Sequence, residues 1–201
     1  MPKIVSLEEF NKIEIKPNFE KAESCNFNHC VTPETKLIIV GTITPPAGAG
    51  YFYSAPRNKI YGYLDECFSD TNLKELKKQL HSENLNKTEI VEQIKQQLIS
   101  KKIAFLDVIK YAIRKKDSPA DNDITFCTLD EDVFKITPNA TVICNSRLAE
   151  ECFCSICDKL HLDPSKHIFL SQRSGLKKDW ISTIKSVVSL EFDWFYKFKY
   201  L

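Results

Sequence analysis

Glycine is scarce in this chain, with five residues in 201. Four of the five lie between Val40 and Leu64, in "VGTITPPAGAGYFYSAPRNKIYGYL", together with three of the nine prolines. Other features are missing altogether. No apolar run approaches the ~20 residues of a membrane-spanning helix. The start, "MPKIVSLEEF", has no apolar core of a secretory signal. Both absences predict a cytoplasmic protein with no membrane partner. There is no excess of charge either: 28 Lys and Arg stand against 27 Asp and Glu, a net +1. Bulk affinity for a polyanion therefore has no support, although lysines gather locally in "RKKD" (114–117) and "GLKKDW" (175–180). No repeat and no low-complexity linker divides the chain, which predicts one domain over 1–201. G-x-G-x-x-G and G-K-[ST] are absent, which removes the dinucleotide and P-loop readings.

Eight cysteines are present. In a cytosolic chain they are expected as reduced thiols. The densest group, Cys152, Cys154 and Cys157, lies in "SRLAEECFCSICDKLHL", where Leu148, Cys152, Ile156 and Leu160 share a helical face. Small buried thiols account for that pattern. A metal site completed from "CNFNHC" (Cys25, His29, Cys30) is the sharper alternative, but the spacing fits no zinc or iron–sulfur pattern.

Short apolar runs at 36–41 ("KLIIVG"), 103–109 ("IAFLDVI"), 140–145 ("ATVICN") and 167–171 ("HIFLS") have the character of buried parallel strands. Helical spacing separates them: about 60–68, two helices within 73–100 broken near "HSENLN", the cysteine helix, and a last helix from "DWISTIKSVVS" onward. The alternation predicts a three-layer α/β/α sandwich around a mostly parallel four-stranded sheet. Residues 1–35 are expected to wrap this core, 36–185 to form it, and 186–201 to extend the last helix. Ligands of such sheets bind beyond the carboxyl ends of the strands. The segments leaving those ends are the glycine-rich loop, "DVIKYAIRKKDSPADND", "NSR" and "SQRSG".

The glycine-rich loop is built for close approach. Gly41, Gly48 and Gly50 permit positive φ, Pro45 and Pro46 stiffen the turn, and Tyr51, Phe52 and Tyr53 offer flat faces. An ordinary strand-to-helix turn with packing aromatics would use the same residues.

In the order strand, G-x-x-x-P, glycine turn, aromatic run and "APRNKIYGYL", the chain resembles the first motif of the uracil-DNA glycosylase superfamily. It is nearest to the mismatch-specific uracil/thymine and hypoxanthine-DNA glycosylase branches. "KKIAFLDVIKYAIRKKDSPADNDI", "TPNATVICNSRLAEECF" and "HIFLSQRSGLKKDW" resemble the later motifs in order, so the likeness spans 36–185. It implies hydrolysis of the N-glycosidic bond of a deaminated or damaged base flipped out of DNA, with no cofactor and no metal. DNA carrying a modified base is the implied partner. Asn58 matches the asparagine that orders the catalytic water; it equally suits the cap of a helix beginning near Lys59. Asp107 stands where the uracil-specific branch reads the base with asparagine. Tyr53 matches the stacking aromatic, and Gly41 and Asn145 complete the implied base pocket. Arg57, the late loop Gln172, Arg173, Ser174 and Gly175, and Lys177 and Lys178 are the implied DNA contacts.

The chain also departs from the family. Where many relatives carry a catalytic Asn, Asp or Glu in the G-x-x-P-G loop, "GTITPP" has Thr44. "AHP" has become "SAP", with Ala55 in place of histidine, the late-loop histidine is missing, and Tyr61 replaces a tryptophan. Asp107, Asp117, Asp121 and Asp123 are the neighbouring carboxylates that can supply a base. The departures also suit a catalytically silent module that holds a nucleobase or nucleic acid on the same fold.

Overall fold

The structure, a computed structural model, describes residues 1–45, 49–136, 139–163, 167–170 and 177–189. In chain order its elements are β1 (Lys3–Ile4), α1 (Leu7–Asn11), β2 (Phe19–Glu23), β3 (Leu37–Gly41), α2 (Ile60–Cys67), α3 (Leu73–Gln79), α4 (Lys87–Ser100), β4 (Ile103–Asp107), β5 (Ile109–Lys115), β6 (Ile124–Leu129), β7 (Thr141–Cys144), α5 (Arg147–Leu160), β8 (His167–Phe169) and α6 (Lys177–Ser189). Short 3-10 turns occupy Asn26–Asn28, Asp121–Asp123 and Asp132–Lys135.

The four apolar runs form one sheet in the order β4-β3-β7-β8, parallel throughout. Each residue of β3 and β4 is buried, as strands covered on both faces must be. Right-handed crossovers fix the layers. The step from β3 to β4 runs one way and the steps to β7 and β8 run the other, so α2–α4 and α5 lie on opposite faces. α6 packs on α2 and β3. Trp180 and Ile184 of α6, Leu64 of α2 and Ile94 of α4 are fully buried beneath that layer. Loops leave β3 and β7 toward opposite faces, so the crevice at their carboxyl ends is the topological switch point.

A second sheet, in the order β1-β6-β5-β2, was not foreseen. The predicted strand 103–109 divides at Val108, and the expected exit loop 107–123 contains β5 instead. β5 pairs antiparallel with β2 and β6, while β1 pairs parallel with β6. The predicted N-terminal wrap thus supplies two strands and a helix. Ladder bonds from Val108 N–H to Gly41 O (3.0 Å) and Ile109 N–H to Thr42 O (3.0 Å) carry β5 past the end of the main sheet. The second sheet therefore stands beside the carboxyl edge.

Helix ends follow local chemistry. Ser6 and Glu9 form a capping box on α1. Asn86 caps α4 and Ser146 caps α5 through their side-chain oxygens. Asp65 accepts from the N–H groups of Leu73 and Lys74, each at 2.8 Å, and so caps α3. No described helix is long and apolar enough to cross a membrane.

All eight cysteines are free thiols, and only Cys67 and Cys154 are not buried. Among the described residues no group of three or more His, Cys, Asp or Glu converges as a metal site. Burial pushes the Cys30, Cys67 and Cys157 thiols up to about 11. A thiol reagent near neutral pH should modify Cys154 and Cys67 first, with the six buried thiols reacting at the rate of unfolding. Rapid modification of all eight in the native protein would contradict this packing.

Candidate active site

Asp107 is the last residue of β4 and is 4 % exposed. Thr44 Oγ1 donates to its Oδ2 at 2.9 Å, and Cys25 Sγ lies 2.9 Å from the same hydroxyl. Asn26 holds its backbone from the open edge of β4. Asp107 N–H donates to Asn26 Oδ1 (2.9 Å), and Asn26 Nδ2 donates to Asp107 O (2.8 Å) and to Asp130 Oδ2 (2.9 Å). Desolvation pushes the Asp107 carboxyl up to about 7; hydrogen bonds from Thr44 oppose the shift, and the charges of Asp121 and Asp130 add to it. With Thr44 donating to Oδ2, the proton of the neutral acid belongs on Oδ1.

Gly41 has no side chain, and the side chains of Asp107 and Tyr53 close over it. A Cβ at position 41 would stand 2.9 Å from Asp107 Oδ1 and 3.2 Å from Tyr53 Oη. Tyr53 is buried, and its hydroxyl has no partner among the described residues. Burial raises the Tyr53 phenol well above its ordinary range. It therefore stays protonated and can donate. The ring lies edge-on to Phe105, with centroids 5.0 Å apart at 79°. Its backbone has φ 53, a left-handed conformation that costs about 1–2 kcal/mol in a residue with a side chain. The hydroxyl and the adjoining ring edge, rather than the ring face, pack over Gly41. Asn145 follows β7 across the switch point; its N–H donates to Val40 O at 3.1 Å, and it is half-buried.

The loop 41–45 is tied on several sides. Thr42 Oγ1 donates to Asp121 Oδ1 at 2.7 Å. Arg114, 8 % exposed on β5, donates through NH1 to Thr44 O (3.1 Å) and through Nε to Glu20 Oε1 on β2 (3.0 Å). A buried guanidinium with two acceptors is a rigid brace.

Asn58 sits on the turn before α2. Its Oδ1 accepts from Ile60 N–H at 3.0 Å, one residue ahead of the N-cap position, which is Lys59 and has no side-chain cap bond. The turn is clamped from α3 and just beyond it. Lys77 Nζ donates to Asn58 O (2.6 Å) and Pro56 O (3.1 Å), and His81 Nε2 lies 2.7 Å from Ser54 O. Desolvation lowers the pKa of the half-buried Lys77 ammonium.

The structure thus brings Gly41, Thr44, Tyr53 and Asp107 together, with Asn145 on the same edge. Arg57 is exposed on the Asn58 turn. Lys177 and Lys178 lie on the first turn of α6 rather than in a loop, both exposed, with Lys177 Nζ 2.6 Å from Glu66 Oε1. Gln172, Arg173, Ser174 and Gly175 lie outside the described residues. Asn26, Thr42 and Arg114 had no role in the sequence reading. Asn26 drew notice only within "CNFNHC", because its partner Asp107 is 81 positions away.

No protein-family model and no curated protein matches the chain. A solved structure does. The fold is similar to the solution NMR structure of "a putative Uracil DNA glycosylase" from Methanosarcina acetivorans, with a TM-score of 0.52 and 13% sequence identity. The match covers 79% of this chain and 94% of that one. The chain therefore has a uracil-DNA-glycosylase-like α/β fold.

A raised carboxyl pKa makes stability depend on pH. The folded state holds the Asp107 proton more tightly than the unfolded chain does. The contribution is full below the ordinary carboxylate range and is lost as pH rises through about 7. Asp107→Asn removes that dependence. In melting experiments the variant should gain on the wild type between about pH 4 and about pH 8. A difference in melting temperature that does not change with pH would show that Asp107 is ionised throughout.

Proposed function

We propose that this protein is a DNA glycosylase-like hydrolase that cleaves the N-glycosidic bond of a deaminated base in DNA. The observation that carries this reading is the meeting, over Gly41, of a buried tyrosine hydroxyl without a partner among the described residues and a carboxyl that burial pushes up to about 7. A neutral acid offers one donor and one acceptor side by side. That pair complements an adjacent ring N–H and C=O, the lactam edge shared by uracil, hypoxanthine and xanthine. An ionised carboxylate would only accept and would suit such an edge poorly. The position of Gly41, Tyr53 and Asp107, at the switch point of a uracil-DNA-glycosylase-like fold, supports the same reading. Asp107 and Tyr53 read the base, Thr44 fixes the Asp107 rotamer, and Asn145 lines the far side. Asn58 contributes its free amide N–H groups to ordering water, and Arg57, Lys177, Lys178 and the late loop contact the duplex.

A second reading keeps the pocket without the chemistry. "GTITPP" offers no acid or amide, and the Asn58 side-chain oxygen is already engaged. A silent module would bind lesion-bearing DNA without cutting it.

Incubation with duplexes carrying uracil, hypoxanthine or xanthine, followed by alkali, separates the two. The wild type should leave an abasic site that alkali converts to a break. Gly41→Ala, whose methyl would press on Asp107 Oδ1 and Tyr53 Oη, should lower the rate by at least about 100-fold, and Asn58→Ala by at least about tenfold. Retained affinity with no break on any lesion would favour the silent module. Neither binding nor cleavage would remove the reading.

A further inference from the structure

Thr42 and Thr44 stand two residues apart on one loop, and each hydroxyl holds a carboxyl group. Thr44 holds Asp107, brought by β4, and Thr42 holds Asp121, brought by the 3-10 turn after β5. The two acids differ in surroundings. Asp107 is buried and crowded by acidic neighbours. Asp121 is half-exposed, and among the described residues its Oδ2 takes no hydrogen bond. Asp117 is exposed on the turn that leaves β5, at φ 59, and Asp123 is engaged by the Ser118 hydroxyl at 2.5 Å. Among the described residues, Asp121 is the carboxylate between positions 117 and 123 that bonds to the loop at the end of β3.

Resting on the glycosylase reading, we propose that hydrolysis is divided between two carboxyl groups: Asp121 takes the proton of the attacking water, and Asp107 donates a hydrogen bond to the departing base. The water oxygen forms a bond to C1′ as the C1′–N bond breaks. The electron pair of that bond goes to the base, where the donated hydrogen bond at a ring carbonyl and the Tyr53 hydroxyl stabilise the charge. The water proton passes to Asp121 and from there to solvent or to the released base. The products are an abasic sugar and a free base. Two carboxyl groups in unlike surroundings, one buried and one half-exposed, can divide acid and base work in this way. Asp121 thereby occupies the role left vacant where the loop carries Thr44. The buried Tyr53 hydroxyl, without a partner among the described residues, is the independent sign that a polar ligand is received beside Asp107.

The ionisable groups facing Asp107 are Asp121, Asp130, Cys25 and Tyr53. Desolvation is the main reason that Asp107 holds its proton, and the charge of Asp121 adds to it. Removing that charge should therefore move the alkaline limb of the rate profile, set by Asp107 at about 7, toward lower pH. A purely structural role for Asp121 would not move it.

The test is single-turnover excision from the best lesion duplex across pH. Asp121→Asn should lower the rate by at least about 100-fold with unchanged duplex affinity. Its residual activity should show the shifted limb. Thr42→Val, which frees the carboxylate without removing it, should fall between Asp121→Asn and the wild type. Asp117→Asn, on the exposed turn, should match the wild type. Melting temperatures check that each variant is folded. If Asp121→Asn, folded, keeps the wild-type rate and profile, the division of labour is wrong and the glycosylase reading stands. If Asp121→Asn does not fold, Thr42→Val decides in the same way. A wild type that excises no lesion overturns both.

Discussion

A carboxyl group removed from water at the end of β4 sets the terms for everything around it. An ionised carboxylate in that position would lose its hydration with only Thr44 to replace it. Two further acids nearby raise the cost. Pushed up to about 7, the group keeps its proton on the acid side of neutrality, where a residue that is an acceptor elsewhere can donate. The rotamer is fixed by Thr44 and the backbone by Asn26, so the carboxyl has one orientation, over Gly41.

The second sheet gives that arrangement its rigidity. β5 continues from β4 with a break only at Val108, and it brings Arg114 to the Thr44 carbonyl and to Glu20. Removal of either acceptor would leave a buried cation short of partners, which is far more costly than loss of a surface ion pair. The turn after β5 brings Asp121 to Thr42. On the opposite side, Lys77 and His81 hold the turn that carries Asn58. Loops on the edge of a sheet are ordinarily its most mobile parts. Here they are pinned from two layers, as a site that must pre-orient its dipoles requires.

The main sheet was legible in the sequence because its strands announce themselves. "KLIIVG", "IAFLDVI" and "ATVICN" are apolar on both faces, and only a strand covered on both sides has that pattern. The cysteine helix was equally clear from Leu148, Cys152 and Ile156, all of which are buried. The second sheet was not legible. β2 reads "FEKAE" and β5 reads "IKYAIRK", with one wet face and lysines in both, and they pair across some ninety positions of sequence. Gly41, Tyr53 and Asp107 could be picked out as candidate site residues because motif order marked them. The raised pKa of Asp107 and the reach of Asn26, Arg114 and Asp121 could not, since each depends on partners far along the chain. Tyr53 was expected to present a ring face; its hydroxyl and ring edge lie over Gly41, on a left-handed backbone with the ring edge-on to Phe105.

The account depends most directly on the charge state of one carboxyl group. A carbon-13 NMR titration of the aspartate side-chain carboxyls, with Asp107 assigned through Asp107→Asn, measures it. The resonance should titrate with a midpoint of about 7. A midpoint in the ordinary range near about 4 would mean that Asp107 is ionised at neutral pH. The donor on which the site is built would then be absent.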